Sequence, residues 1–209
     1  MKHYLKQTEC DFFSFVAPLA LKLKSYEEFL KKWQQRINLI APSTIPLIYQ
    51  RHILDSIQLW PLISKQNGIL TDMGSGAGFP GILLALCNEY LDGNFQEVRL
   101  IESDTRKCVF LKEVVRLLDL KRTTIINQRI EKVNLPLSDV ITARALSDLS
   151  TLLSLSGAIS GPKTKFLFLK GNSVDKEIDQ LSNEWCVEKY SSQTDIKGCI
   201  VEITKKDKK

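Results

Sequence analysis

Residues 69–87 read ILTDMGSGAGFPGILLALC, and this stretch decides how the rest of the chain is interpreted. An apolar run and an acidic residue come first, then four glycines in eight positions, then an apolar segment of helical length. This order predicts a strand, a tight turn and a helix. Glycine alternates with Ser75 and Ala77, so the backbone can take positive φ and a ligand can approach it closely. A helix beginning near Phe79 points its free N–H groups at the turn, which suits a carboxylate, a ribose or a phosphate.

Three ligands compete for such a turn. No Gly-Lys-Ser/Thr follows it, which disfavours a nucleoside triphosphate. Gly76, Gly78 and Gly81 satisfy G-x-G-x-x-G, so a dinucleotide remains an alternative. Asp72 stands two residues before Gly74, and the resulting D-x-G-x-G-x-G resembles the first motif of Rossmann-like methyltransferases, which bind S-adenosylmethionine. A turn that only packs a helix on a strand is the remaining interpretation.

Length and composition indicate a soluble globular protein. The 209 residues suit one domain with a sizeable core, and 44% are hydrophobic and 25% charged. The net charge of +5 permits an anionic partner without requiring one. Five cysteines without C-x-x-C spacing and two histidines disfavour a disulfide framework, a metal site and a Ser-His-Asp triad. Neither a signal peptide nor a membrane-spanning run is recognised, so we expect a cytoplasmic protein with no membrane partner.

Residues 1–61 are predicted to form an N-terminal helical cap, because their apolar residues recur at three- and four-residue steps. Three helices are expected, over residues 11–23, from a capping box at Ser25 and Glu28 onward, and over residues 47–60 before Pro61. The aromatic residues of the second helix keep strict helical spacing. They are therefore interpreted as core residues rather than as a platform for stacking bases.

Residues 62–209 are predicted to form a Rossmann-like domain of the α/β class, because strand and helix patterns alternate. Strands are expected near residues 69–72, 98–101, 123–127, 139–142, 165–169, 185–190 and 198–204. Helices are expected between the first six, near residues 79–89, 105–118, 131–134, 149–156 and 174–183. The loop before the last strand is too short for a crossover, so this strand must be antiparallel. The outline is a seven-stranded, mostly parallel sheet of the class I methyltransferase type.

Candidate site residues follow the strands, because ligands of such sheets lie over the carboxyl ends of the strands. Glu102 ends the second strand and could accept both ribose hydroxyls, or be an ordinary solvated glutamate. Ile130 and the neighbouring backbone could hold an adenine, whereas Glu131 could also be a helix-start carboxylate. Arg144 suits a carboxylate, an RNA phosphate or a structural salt bridge, and Lys170 offers a second cation at the same rim.

Several motifs then occur together in one order: RHILDS (51–56), DMGSGAGFPG (72–81), RIE (129–131), ARA (143–145) and LKG (169–171). From about Tyr26 onward the chain resembles the bacterial 16S rRNA guanine-N7 methyltransferase family, RsmG, also called GidB. The resemblance implies S-adenosylmethionine as the cofactor and a guanine of the decoding region as the substrate. With the turn, it implies cofactor contacts at Asp72, Gly74, Ser75, Gly76, Gly78, Phe79, Glu102, Ile130, Glu131 and Arg144.

Guanine N7 carries a free lone pair, so methyl transfer to it needs no general base, and none is assigned. Arg144 and Lys170 are the candidates for positioning, and Arg51, His52, Arg144 and Lys170 are the candidates for RNA contact. For Arg51 and His52 a polar network between the cap and the main domain is an equal alternative. The expected partner is 16S rRNA or a small-subunit precursor, bound by a monomer. A nicotinamide-dependent oxidoreductase and a noncatalytic, adenosylmethionine-binding or ribosome-associated module are the rival functions.

Overall fold

The computed structural model describes residues 15–63, 65–91, 93–171 and 174–206. Within these ranges seven strands form one sheet with the order β3-β2-β1-β4-β5-β7-β6. The strands are β1 (Asn67–Met73), β2 (Asn94–Glu102), β3 (Thr123–Asn127), β4 (Ser138–Arg144), β5 (Ser160–Lys170), β6 (Trp185–Ser191) and β7 (Cys199–Lys205). All neighbours pair in parallel except β7, which runs antiparallel to both β5 and β6. The predicted Rossmann-like sheet with an antiparallel last strand is confirmed.

The helices of the main domain also lie where the sequence predicts them. They are α4 (Gly81–Tyr90), α5 (Thr105–Leu118), α6 (Leu149–Leu155) and α7 (Val174–Asp179), numbered after three cap helices, with a 3-10 turn at Ile130–Lys132. α5 matches its prediction because Asp104 accepts the backbone N–H of Arg106 at 2.8 Å and so caps the helix. α7 is shorter than the predicted 174–183 and ends at Asp179.

The cap departs from the prediction at its first two helices. α1 runs unbroken over Ala20–Gln34, so the expected helix start at Ser25 is wrong. The Ser25 hydroxyl donates back to the carbonyl of Leu21 at 3.0 Å instead of capping anything. Leu23 and Tyr26, on either side of Ser25, are both buried. Their packing keeps the chain helical through Ser25 and outweighs the capping signal. Residues 11–14 of the predicted first helix lie outside the described residues.

The expected helix over residues 47–60 is also wrong as one element. The chain forms a 3-10 helix (Pro42–Leu47), a π-helical segment (Tyr49–Leu54), α2 (Asp55–Ile57) and then α3 (Trp60–Ile63). Pro61 lies in the first turn of α3, where its missing N–H costs little, and so does not end a helix. The π-helical segment carries Arg51 and His52, and such segments often occur at functional sites.

Two apolar clusters cover the two faces of the sheet. On one face the side chains of α1, α4 and α5 pack on Leu70, Leu100 and Val140. On the other face α6 and α7 pack on strand residues such as Ile101 and Ile141. Tyr26 of α1 belongs to the first cluster, and the partly buried Phe29 and Trp33 pack against it, which confirms their interpretation as core residues. The division of the chain at residue 61 stays a prediction. No helix in the described residues is both long and apolar enough to cross a bilayer.

Candidate active site

The glycine turn joins β1 to α4 at the carboxyl edge of the sheet. Gly74, Gly76 and Gly78 all have positive φ, at 66°, 57° and 94°. A Cβ on Gly76 would meet nothing closer than the Gly74 carbonyl oxygen at 3.8 Å, so this part of the turn faces open space. A Cβ on Gly81 would lie 2.7 Å from the Asp72 Oδ2. Gly76 therefore leaves room for a ligand, whereas Gly81 lets the helix approach the strand.

Asp72 lies beneath the turn and is fully buried. Its Oδ1 accepts the Thr142 hydroxyl at 2.8 Å, and its Oδ2 accepts the Gly81 N–H at 3.2 Å. Burial raises the pKa of Asp72 to about 6, against the opposing effect of these hydrogen bonds. The neighbouring Ser75 is also buried, and its hydroxyl donates to the Asp72 carbonyl. Asp72 and Ser75 thus fix the turn from below, and their predicted contact with a cofactor stays a prediction.

Glu102 stands at the end of β2, directly beside the turn. Its Oε2 accepts the Gly76 N–H at 2.9 Å, and its Oε1 accepts the Asp104 N–H at 2.8 Å. A carboxylate has about four lone-pair sites, so acceptor capacity remains for hydroxyl groups. Ile130 follows β3 and packs in the same apolar cluster as Met73 and Ile101, the strand-end residues of β1 and β2. The structure therefore brings Glu102 and Ile130 to the same edge as the glycine turn. Glu131, the next residue, is exposed.

Phe79, His52 and Arg144 form a stack over the start of α4. The His52 ring lies 5.0 Å from the Phe79 ring at an angle of 21°, and the Arg144 guanidinium lies 5.7 Å from the centre of the Phe79 ring. Arg144 donates one hydrogen bond to the Arg51 carbonyl at 2.9 Å and one to His52 Nδ1 at 2.7 Å. Because Nδ1 accepts, the ring proton lies on Nε2, which donates to the Thr44 hydroxyl at 2.8 Å.

The charge state of His52 follows from this environment. Burial, together with the charges of Arg144 and Arg51, lowers the pKa of His52 to about 4. His52 is therefore neutral at pH 7. It acts as a fixed acceptor for Arg144, so the predicted polar network between the cap and the main domain is present in the structure.

Arg144 is also paired with Asp55 of the cap, with 3.4 Å between Nη1 and Oδ2. Nη1 of Arg144 is buried and makes no hydrogen bond to the part of the chain that the structure describes. The other oxygen of Asp55 accepts Gln58 Nε2 at 2.7 Å and the Thr194 hydroxyl at 2.8 Å. Burial lowers the pKa of Arg144, against the opposing charge of Asp55. The next residue, Ala145, has a φ of 50°, a strained value for a residue with a side chain.

A cavity of 540 Å³ opens beside Arg144, and we call it the rim cavity. Its walls are the ends of β4 and β5, α7, the start of β7, the loop before β7 and part of the cap, and they include Arg51, Asp55, Arg144, Lys170, Glu177 and Asp195. Arg51 pairs with Asp195 at 3.1 Å across the cap and the loop. Lys170 donates to the Ser147 carbonyl at 2.8 Å and pairs with Glu177 at 2.7 Å.

The four residues predicted to contact RNA therefore differ in their exposure. The Arg51 side chain is 49% exposed, whereas that of Lys170 is 12% exposed. His52 and Arg144 are also turned inward and held by partners. Of this group, Arg51 has the most exposed side chain, and it is paired with Asp195.

Sequence reasoning missed several residues that organise this site. The Tyr26 hydroxyl donates to the carbonyl of Ala77 and ties α1 to the glycine turn. Helical spacing identified Tyr26 only as a core aromatic. Thr44 and Glu177 carried no sequence signal at all. Asp55 lay inside the quoted RHILDS motif, which could have drawn attention to it.

Comparison with known proteins decides the family. The model of the GidB family, described as rRNA small subunit methyltransferase G, matches residues 20–203. The chain belongs to this family. It is 42% identical to ribosomal RNA small subunit methyltransferase G of Paramagnetospirillum magneticum, over 87% of this chain and 86% of that protein. The protein of the same name from Rickettsia prowazekii is also 42% identical, over 87% of this chain and 92% of that protein.

Solved structures with low sequence identity support the fold. An rRNA methylase from Streptococcus thermophilus aligns with a TM-score of 0.55 and 14% identity, over 75% of this chain and 98% of that chain. An O-methyltransferase from Klebsiella pneumoniae, itself described as unverified in function, aligns with a TM-score of 0.59 and 15% identity, over 88% and 90%. At this level of identity the likeness concerns the fold alone, and the fold is that of methyltransferases.

Proposed function

We propose that this protein transfers a methyl group from S-adenosylmethionine to N7 of a guanine in the decoding region of 16S rRNA. Membership of the GidB family over residues 20–203 is the observation that carries the proposal. The open glycine turn and the rim cavity support it, because they provide two adjoining spaces at the carboxyl edge of the sheet. Ribosomal RNA is thus the expected partner, and the cytoplasm is the expected place of the reaction.

The residues present fit the proposed cofactor. The open side of Gly76 leaves space for a ligand, and a side chain at this position would fill that space. Glu102 would accept the ribose hydroxyls, and Ile130 would contact the adenine. Arg144 would face the carboxylate, and its buried Nη1, which lacks a hydrogen bond to the described residues, would be the donor. When bound, S-adenosylmethionine supplies a methyl group on a positively charged sulfur.

Methyl transfer to guanine N7 requires the protein to position the reactants and requires no proton transfer. The lone pair of guanine N7 forms the new bond to carbon while the electrons of the old bond return to sulfur, so no proton moves. Holding the reacting atoms in line near 3 to 3.5 Å can lower such a barrier by up to about 7 to 11 kcal/mol. The network around Arg144 is suited to this task, because each of its members is fixed by another. No residue needs to act as a general base.

The oxidoreductase alternative is disfavoured by topology. Sheets that bind dinucleotides are mostly parallel and commonly have the order 3-2-1-4-5-6. Here an antiparallel β7 lies between β5 and β6. A thermal-shift comparison of S-adenosylmethionine, S-adenosylhomocysteine and NAD tests the choice, since a selective ligand raises the unfolding midpoint. Stabilisation by NAD alone would refute the proposal.

The direct test is mass spectrometry of 16S rRNA from bacteria that lack this protein, with and without its return on a plasmid. We expect one N7-methylguanine to be present only when the wild-type protein is present, and to be lost with Arg144→Ala while the variant remains folded. Chain cleavage at N7-methylguanine would locate it. An unchanged modification pattern in the absence of the protein would instead favour a noncatalytic module. Methylation of free RNA, a precursor particle or the finished subunit, compared in vitro with purified monomer, would identify the substrate form.

A further inference from the structure

We propose that the rim cavity receives the target base, and that Lys170 and Glu177 select guanine by reading the edge next to N7. This inference rests on the proposed methyl transfer and adds to it the residues that choose the base. Three observations carry it: the charge balance of the cavity, the fixed geometry of the Lys170–Glu177 pair, and the order of donors and acceptors around guanine.

The charge balance of the rim cavity fits a neutral ring better than a phosphate. Each of three cations is paired with a carboxylate, Arg51 with Asp195, Arg144 with Asp55 and Lys170 with Glu177. Lys197 is a fourth cation in the lining, so one net positive charge remains. A phosphate site would present cations and N–H groups without competing carboxylates. A cavity of 540 Å³ lies within the usual size of a small-molecule site, and its paired donors and acceptors can bond to the polar edge of a ring.

Lys170 and Glu177 are held rigidly at the wall of this cavity. Lys170 Nζ lies 2.7 Å from Glu177 Oε2 and donates to the Ser147 carbonyl at 2.8 Å. The same Oε2 accepts the backbone N–H of Leu149 at 2.9 Å, at the start of α6. The side chains are only 12% and 18% exposed, so water competes weakly for them.

Each member of the pair keeps hydrogen-bonding capacity toward the cavity. The ammonium has three protons, and two of them are used by Ser147 and Glu177. Glu177 Oε1 makes no hydrogen bond to any residue that the structure describes, since both contacts of this carboxylate use Oε2. One donor and one acceptor therefore lie side by side and available.

This arrangement matches guanine and opposes adenine. Next to N7, guanine presents the O6 acceptor and then the N1–H donor, whereas adenine presents the N6 amino donor and then the N1 acceptor. Lysine can only donate and an ionised glutamate can only accept. With N7 turned toward the methyl group, guanine satisfies both side chains. In the same position, the N6 amino donor of adenine would face the Lys170 donor, and the N1 acceptor of adenine would face the Glu177 acceptor.

The test uses the full-length protein and small subunits assembled on 16S rRNA with either guanine or adenine at the target position. Glu177→Gln keeps the shape of the side chain but removes the charge and one acceptor. We expect kcat/KM on the guanine substrate to fall between about 5- and 150-fold, the range for one lost base-reading pair. The preference for guanine over adenine should fall with it. Lys170→Gln should give a loss of similar size.

Asp179→Asn is the matched control, because Asp179 is exposed at the end of the same helix and loses the same charge. We expect the control to match the wild type, and all variants to keep the wild-type unfolding temperature and affinity for S-adenosylhomocysteine. Should the wild type methylate neither substrate, the proposed function itself fails. Should the wild type methylate guanine while Glu177→Gln behaves like the control, the proposed selection of guanine by Lys170 and Glu177 is refuted and the proposed function stands. Loss of folding or of S-adenosylhomocysteine binding in both Glu177→Gln and Lys170→Gln would make the pair structural and also overturn it.

Discussion

Replacing Tyr26 with phenylalanine tests whether the helical cap stabilises the glycine turn. The side chain is fully buried, and its hydroxyl donates to the carbonyl of Ala77 between Gly76 and Gly78. Phenylalanine keeps the ring and its edge contact with Phe79, whose centre lies 5.7 Å away. The variant therefore removes one hydrogen bond and little else.

The size of the effect follows from the burial of Ala77. Its carbonyl loses a donor in a place that water does not reach, which costs about 1 to 3 kcal/mol. For a protein of this size each kcal/mol lowers the unfolding temperature by about 2 to 4 °C. A turn that loses its anchor also binds ligand less tightly, and a loss of about 1 kcal/mol raises the dissociation constant about five-fold.

Thermal unfolding followed by circular dichroism and calorimetric titration with S-adenosylhomocysteine measure the two effects. Tyr90→Phe is the control, because that hydroxyl also joins two elements, at 2.9 Å from the Leu118 carbonyl, but belongs to a residue that is 37% exposed. Water can replace it, so we expect less than about 1 kcal/mol. If Tyr26→Phe unfolds and binds like the control, the cap does not support the turn and the argument is refuted.

Three further outcomes are expected. Gly76→Ala should lower the free energy of unfolding by only about 1 to 2 kcal/mol, because of the left-handed φ, yet abolish S-adenosylhomocysteine binding. Gly81→Ala should chiefly destabilise the fold. Calorimetry and thermal unfolding will distinguish the two effects. Because the pKa of Asp72 is raised from 3.8 to about 6, the protein should lose up to about 3 kcal/mol of stability as the pH rises from about 4 to about 6. Urea titrations of Asp72→Asn across this range should lack that loss. Because the pKa of His52 is lowered from 6.5 to about 4, its contribution should be lost in the opposite direction, as the pH falls from about 6.5 to about 4, and His52→Gln should lack this dependence in the same titrations.

Much of the sheet could be predicted because its signals are local. The apolar runs of the strands and the turn residues between them lie within a few residues of one another, and β3 was predicted with its observed bounds, Thr123–Asn127. The cap was harder, because Ser25 carries a helix-start signal that packing outweighs. The buried face of α1 continues from Leu23 through Tyr26, and a helix gains more from that burial than from a cap.

For the candidate site, the sequence predicted which residues lie at the carboxyl edge of the sheet but not which residues they contact. Strand ends identified Glu102, Arg144 and Lys170 because parallel strands bring their carboxyl ends together. No sequence pattern shows that Asp72 meets Thr142, seventy residues away, or that Lys170 at the end of β5 meets Glu177 in α7. These pairings depend on the relative placement of elements, which only the folded chain establishes.

The place of β7 between β5 and β6 has a consequence for biosynthesis. During translation β5 emerges about thirty residues before β7, and until then its outer edge has no partner on that side. Such an edge can pair with other nascent chains, and β6 cannot join the sheet to cover it without β7. The rim cavity also has its far wall on β7. A ribosome must therefore release the chain through β7 before the rim cavity is complete.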